Sequence, residues 1–416
     1  MDENSYTIEQ IIQEESIVMM FQPLISTFKN SVIGLEALVR GIIPQSDQLI
    51  SPAKLFQEAR EHQVTYALDL LCLRKAIKAF HTIYRTHQDI FLFLNIDHST
   101  IVHEDFELNT LMGWLRAYGI KPESMILEIS ELEAENIQSI HEFAMQCKQH
   151  GIMVCLDDVG AGHANLDRIA LIKPDIIKID KELVIHISKN YYKQQVVEMI
   201  IKLAKKVGAV IVAEGVENID DILTILEYGE QLLQGYYISE PIPISEEVFQ
   251  AFVKTTNTIR YRHKHYINDR LKLQKEKYAY IHKVLMQSLN ELEHSDIYSF
   301  KGILKRIIGK YADVESAYIL DERGIQITDT ECNQGVDKVN WNIIYNPFKK
   351  GADLSLQSYY YQLVKTGQKT CVSDEYISMA TGNKCVTISS NFGASNRRNY
   401  FICLDFSLEF INQSIG

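Results

Sequence analysis

Seven polar side chains fall at the ends of apolar, strand-like stretches: Glu36, Asn95, Glu128, Asp157, Lys178, Glu214 and Gln234. Carboxylates joined by one amide oxygen, with no His or Cys in the set, make a hard-oxygen donor group. Such a group suits Mg2+ or Mn2+ better than zinc. A cluster this dense can hold two cations with one Asp bridging, an arrangement that serves phosphodiester hydrolysis. Lys178 can orient the attacking water or offset charge on the phosphoryl group. Glu214 is the candidate general base.

The sharpest local signal runs from Gly151 to Gly160, where five apolar residues lead into Asp157-Asp158. Side chains alternate faces along a strand, so two neighbouring Asp cannot both point inward while the strand continues. The strand is therefore expected to end there. Adjacent carboxylates repel unless a proton or a cation lies between them. The other reading of the pair is an N-cap or loop-ordering Asp.

These residues need a scaffold that gathers them. Residues 16–25 and 31–40 read as a hairpin, and Ser51-Pro52 opens a helix. Strand-like segments then recur at 91–96, 125–130, 152–158, 175–180, 210–214 and 232–238, with amphipathic stretches such as Val196 to Val207 between them. The polar positions at their ends lie 59, 33, 29, 21, 36 and 20 residues apart. After the first interval, that spacing fits one βα unit each. The pattern predicts an α/β fold, a (β/α)8 barrel whose C-terminal strand ends converge on one mouth.

Six motifs stand in order along this frame: Glu36-Ala37-Leu38 with Asn95 after it, Glu128-Ile129-Ser130-Glu131, Asp157-Asp158-Val159-Gly160, Lys178-Ile179-Asp180, Ala213-Glu214-Gly215-Val216-Glu217 and Gln234-Gly235-Tyr236. Over about residues 16–250 the chain resembles the EAL domain, the cyclic di-GMP phosphodiesterase family. The resemblance implies a modified TIM barrel and Mg2+- or Mn2+-dependent opening of cyclic di-GMP to linear pGpG, with two cations per site. It implies that Glu36, Asn95, Glu128 and Asp157 hold the first cation. Asp157 would bridge to the second, with Asp158 on that side. Glu214 and Lys178 would handle the attacking water. Gln22, Leu38, Arg40, Gln234 and Tyr236 match substrate-side positions, Arg40 as a bidentate phosphate partner and Tyr236 as a base-stacking or core tyrosine. Glu131, Asp180 and Glu217 match supporting positions behind the ligands, or loop ties.

Departures from the family pattern concentrate after the paired Asp. Val159, His163 and Ala164 replace usual residues of a loop that couples dimer contacts to metal binding in this family, Ser130 replaces a Thr, and Asp97 stands where a small Ser is common. His163 could be taken for a metal ligand or for a surface residue in place of the family Tyr. A receptor that binds cyclic di-GMP with little or no turnover is the alternative to an active enzyme.

Residues 256–293 contain no Gly or Pro, and Ile267, Leu271, Gln274, Tyr278, Ile281, Leu285, Ser288 and Leu292 alternate steps of four and three. That is a coiled-coil-like seam on a long helix. It either pairs protomers in a homodimer or packs on its own barrel or on the next domain. Residues 297–416 read as strands with a helix near Tyr359-Tyr360-Tyr361 and resemble a PAS/Cache-like domain. The implied division is 1–250, 251–296 and 297–416. The last part would be sensory, with a small-molecule ligand near Tyr359, Tyr360, Tyr376 and Thr387, or a dimerisation module.

A net charge of −12 argues against non-specific nucleic-acid binding. The basic run from Arg260 to His265 reads as a solvated helix face. No apolar run is long enough for a membrane span, the first residues lack signal-peptide character, and seven scattered Cys fit a reduced, cytoplasmic setting.

Overall fold

The computed structural model describes residues 7–43, 48–130, 137–160, 166–229, 232–333 and 346–408. The chain divides into two compact units, residues 1–267 and 268–416.

The first unit carries β1 (Ile17–Ser26), β2 (Ser31–Ile42), β3 (Leu49–Ile50), β4 (Phe91–Asn95), β5 (Met125–Ile129), β6 (Met153–Val159), β7 (Ile176–Ile179), β8 (Val210–Ala213) and β9 (Leu232–Leu233). Their order is β1-β9-β8-β7-β6-β5-β4-β2, and β1 pairs with β2 to close the ring. β3 only extends the outer end of β2. The result is an eight-stranded closed barrel with helices between successive strands from β3 onward, as the strand spacing predicts. β1 is antiparallel to both of its neighbours, whereas the ring pairings β2–β4, β4–β5, β5–β6, β6–β7, β7–β8 and β8–β9 are parallel. The cause is local. A turn at Thr27–Asn30 is too short for a crossover helix, so the chain can only reverse. Ser26 Oγ accepts the Lys29 N–H at 3.1 Å, and Asn30 takes a left-handed φ of 55°.

Two inward layers explain how the barrel presents chemistry. Leu24, Phe93, Ile126, Cys155, Ile176 and Val212 form one buried apolar cluster inside the ring. Strand periodicity puts the next inward residue two positions along. Those positions are Gln22, Asn95, Glu128, Asp157, Lys178 and Glu214. Every strand thus carries an apolar floor residue and a polar one directly above it. β2 supplies Glu36 above Gly34, where a Cβ would lie 2.5 Å from the Phe93 ring.

Three strand boundaries differ from the sequence reading. β2 runs past Glu36 to Ile42, so Glu36 lies mid-strand. The last barrel strand is only Leu232–Leu233, because the chain turns at Gln234-Gly235. β6 does not end at the paired Asp; it continues to Val159. Asp158 adopts φ 57°, and the β6–β7 register shifts between Leu156 and Val159. A bulge breaks the alternation that a regular strand would impose.

One helix, Glu246–Glu293, runs through both units. Phe249, Phe252 and Ile259 join the barrel core. Ile281, Val284, Leu285 and Leu292 join the core of the second unit. Of the predicted seam, Ile281, Leu285, Ser288 and Leu292 are buried, and Ile267, Leu271 and Tyr278 are exposed.

The second unit is an antiparallel sheet of β10 (Val314–Leu320), β11 (Glu331–Cys332), β12 (Thr370–Val372), β13 (Tyr376–Ile377), β14 (Lys384–Gly393) and β15 (Asn399–Ser407). Residues 316–328 turn back on themselves with a true strand on the first arm only. The second arm makes isolated bridges, Leu320 to Gln326 and Ile325 to Asp353. One sheet face packs on the long helix and on Phe300–Lys310. The other packs on Ser358–Thr366, the helix expected around the three tyrosines.

Candidate metal centre

Lys178 lies at the centre of the polar layer and is 1% exposed. Its Nζ is 2.8 Å from Glu128 Oε1, 3.3 Å from Glu36 Oε2 and 3.5 Å from Asp157 Oδ1. It also pairs with Glu214. Asn95 Nδ2 donates to Glu36 at 2.9 Å and to Glu128 at 3.1 Å, which leaves its carbonyl oxygen for another partner. Gln234 donates to Glu36 and, at 3.1 Å, to Gln22 Oε1. The ring brings together all seven polar positions read from the sequence.

The backbone ladder reaches beyond the strands to fix these groups. Asp180 N–H donates to Val159 O at 3.1 Å, Glu214 N–H to Ile179 O at 3.2 Å, and Gln234 N–H to Ala213 O at 2.9 Å. Residues just past β7, β8 and β9 are therefore tied to the neighbouring strand by the same backbone ladder. At the bulge, the Asp158 N–H donates to Asp157 Oδ1 at 3.0 Å. Carboxylate oxygens of Asp157, Asp158 and Glu214 lie within 4.8 Å of one another.

Five carboxylates then share one ammonium, and their protonation shows the strain. Burial pushes Glu128 well above its ordinary value, and the charge of Glu36 adds to it. Burial likewise raises Glu214, against the pull of Lys178, with Asp157 and Glu36 adding to the rise. Asp157 is raised by burial although Lys178 opposes it. Asp158 rises to about 6 through burial and the charges of Asp157 and Asp180. Glu36 alone falls, because Lys178, Gln234 and Asn95 together outweigh the burial that would raise it. Burial would lower Lys178, but the surrounding carboxylates hold it well above its ordinary value.

One lysine does not neutralise this ring. Gln234 Oε1 is buried without a hydrogen bond among the described residues, and Glu128 Oε1 faces the Lys178 ammonium. The donors are all oxygen, they are clustered, and they carry excess negative charge. These features fit hard divalent cations held by Glu36, Asn95, Glu128, Asp157 and Asp158.

The remaining predicted positions are more varied. Gln22 is buried and spends its amide on Gln234 and, at 3.0 Å, on the Ser239 carbonyl. Leu38 lines a cavity of about 350 Å3 beside Glu36 and Asn95. Arg40 is half-buried, and its Nη1 donates to the Val39 carbonyl at 2.8 Å. Tyr236 lies beyond the short β9 and is 60% exposed, so it is not a core tyrosine. Asp180 is buried, caps the turn Lys181–Val184 and faces Asp158. Glu217 is exposed. Glu131, His163 and Ala164 lie outside the described residues.

Sequence reasoning missed Asp69, on the helix Thr65–Tyr84. It is 2% exposed, lines the same cavity and accepts the Asp97 N–H at 3.1 Å. Burial raises its carboxyl to about 7. The available signal was its place between Leu68 and Cys72, an acid on the apolar face of an amphipathic helix.

The family model for the EAL domain matches residues 6–241. The uncharacterized EAL-domain containing protein YkuI of Bacillus subtilis is 25% identical over 404 residues, 94% of this chain and 95% of that protein. A protein of Escherichia coli named "probable cyclic di-GMP phosphodiesterase PdeD" is 25% identical over 235 residues, and the match covers 56% of this chain and 43% of that protein. The crystal structure of YkuI in complex with cyclic di-GMP and calcium matches with a TM-score of 0.77 at 22% identity, covering 97% of this chain and 99% of that one. At that identity the match speaks for the fold, and it includes the second unit.

Proposed function

The chain belongs to the EAL domain family, and on that premise we propose that it is a phosphodiesterase that opens cyclic di-GMP to linear pGpG with two bound Mg2+ or Mn2+ ions. One observation carries the reading: four carboxylates pair with Lys178 at the barrel mouth and a fifth, Asp158, lies beside Asp157 and Glu214, so that one ammonium faces five acids.

Glu36, Asn95, Glu128 and Asp157 would hold one cation, and Asp157 and Asp158 the other. When bound, the cations lower the pKa of water and offset charge on the phosphoryl oxygens. The chain's own residues do the rest. Glu214, paired with Lys178 and beside Asp157 and Asp158, accepts the proton of the attacking water. Lys178 stays protonated among its acids and orients that water. Leu38 and the cavity beside it receive one base of the dinucleotide, Arg40 swings from the Val39 carbonyl to a phosphate, and Tyr236 stacks at the rim. Gln22 and Gln234 hold Glu36 in place, while Asp180 supports Asp158. Glu131 and Glu217 act as ties behind the ligands. Residues 297–416 form a PAS/Cache-like regulatory or dimerisation domain joined by the long helix, and the working form is a homodimer.

Turnover of cyclic di-GMP with Mg2+ or Mn2+, beside Glu36→Ala, tests the reading. Tight binding without release of pGpG would point instead to a receptor.

A further inference from the structure

Three glycines follow the polar residues of β6, β8 and β9: Gly160, Gly215 and Gly235. Two of them face one short turn. A Cβ on Gly160 would lie 2.2 Å from Leu183 Cδ1, and a Cβ on Gly215 would lie 2.4 Å from Lys181 Cβ and 3.2 Å from Lys181 Cα. Both glycines take positive φ, 104° and 66°. Lys181 and Leu183 belong to the turn Lys181–Val184, which Asp180 caps by accepting the Glu182 N–H at 2.7 Å. The turn is therefore wedged between the chain leaving Asp157-Asp158 and the chain leaving Glu214. With no side chain on either glycine, Leu183 and Lys181 pack directly on the backbone, which makes the spacing stiff, because packed interiors yield little to a misplaced atom.

We propose that Lys181 is a positioning residue that acts through its Cβ, setting the distance of Glu214 from the paired aspartates. The charged end of Lys181 plays no part, since the residue is exposed and its Cβ and Cα lie nearest to Gly215, with Cγ farther off at 3.7 Å. Leu183 braces the same turn against Gly160 from the other side. This inference rests on the phosphodiesterase reading for its kinetics but not for its metal binding.

The test compares the full chain with Lys181→Ala, Lys181→Gly, Gly215→Ala and Lys181→Gly/Gly215→Ala. Four quantities are read: kcat and KM for cyclic di-GMP, Mn2+ affinity by calorimetry without substrate, and the thermal midpoint. Lys181→Ala keeps the Cβ and retains kcat. Lys181→Gly loses it, lowering kcat several-fold at unchanged KM and thermal midpoint. Gly215→Ala forces Glu214 aside, lowering kcat on the order of 100-fold, the scale of a displacement near 1 Å, and weakening Mn2+, because a Glu214 oxygen lies within 4.8 Å of the paired aspartates and adds its charge there. The double variant regains at least tenfold of that kcat and recovers Mn2+ affinity, because the colliding Cβ is gone. Independent, multiplying effects overturn the proposal, as does Lys181→Ala behaving like Lys181→Gly. If the wild-type chain proves not to hydrolyse the dinucleotide, the activity reading fails. The Mn2+ affinities of the same five proteins then decide the wedge by themselves.

Discussion

Lys178 is buried among Glu36, Glu128, Asp157 and Glu214. Removing one partner of a buried ion network leaves the others uncompensated, at about 3–5 kcal/mol. Lys178→Met should therefore lower the thermal midpoint of the metal-free protein well beyond an ordinary core change. Added Mn2+ should recover more of the loss than it adds to the wild type. An unchanged midpoint would mean that the carboxylates are already neutral. Asp158 makes a second prediction, with a definite sign. Its carboxyl is raised from the ordinary 3.8 to about 6, so the folded state holds a proton that the unfolded state has released. Its stabilising contribution is present below the ordinary value and is lost as pH rises to about 6. Against Asp158→Asn, the metal-free wild type should lose stability across that window and then level off. Cation affinity should rise over the same window as the competing proton leaves. Parallel melting curves at all pH values would contradict this.

The barrel strands show which features a sequence exposes and which it hides. Period-2 spacing puts Asn95 above Phe93, Glu128 above Ile126 and Glu214 above Val212, so the polar layer is legible from residue order and spacing alone. The motifs then give the family. Asp158 was not legible in this way, because alternation forbids two inward neighbours and only the backbone reveals the left-handed residue that lifts the restriction. Asp69 reaches the site from a helix face, where its neighbours in sequence give it an apolar setting. Gly34 supplies the prediction at this scale. Gly34→Val drives a side chain into Phe93, tilting the floor under Asn95. Overpacking of this kind costs about 1–3 kcal/mol, and Mn2+ affinity should fall with it. A Gly34→Val protein with normal affinity would show that the floor does not set the ligands above it.

Across the whole molecule the long helix divides its labour. The heptad pattern suggested either a seam between protomers or packing within the chain. Its C-terminal half packs within the chain, since Ile281, Leu285 and Leu292 are buried against the second sheet. A repeat of apolar residues cannot by itself say which surface will cover it. Leu285→Ala should cost about 2–5 kcal/mol, lowering the melting transition of the second unit while leaving Mn2+ binding by the barrel intact. Loss of both together would mean that the two units unfold as one. Among the described residues no helix is long and apolar enough to cross a membrane. We propose that the carboxylate ring around Lys178 cuts a cyclic dinucleotide. Chromatography of cyclic di-GMP incubated with the full chain and Mn2+ tests it most directly. Linear pGpG should accumulate with the wild type, stop on chelation and be absent with Glu36→Ala. Recovery of intact cyclic di-GMP from a protein that binds it tightly would contradict the claim.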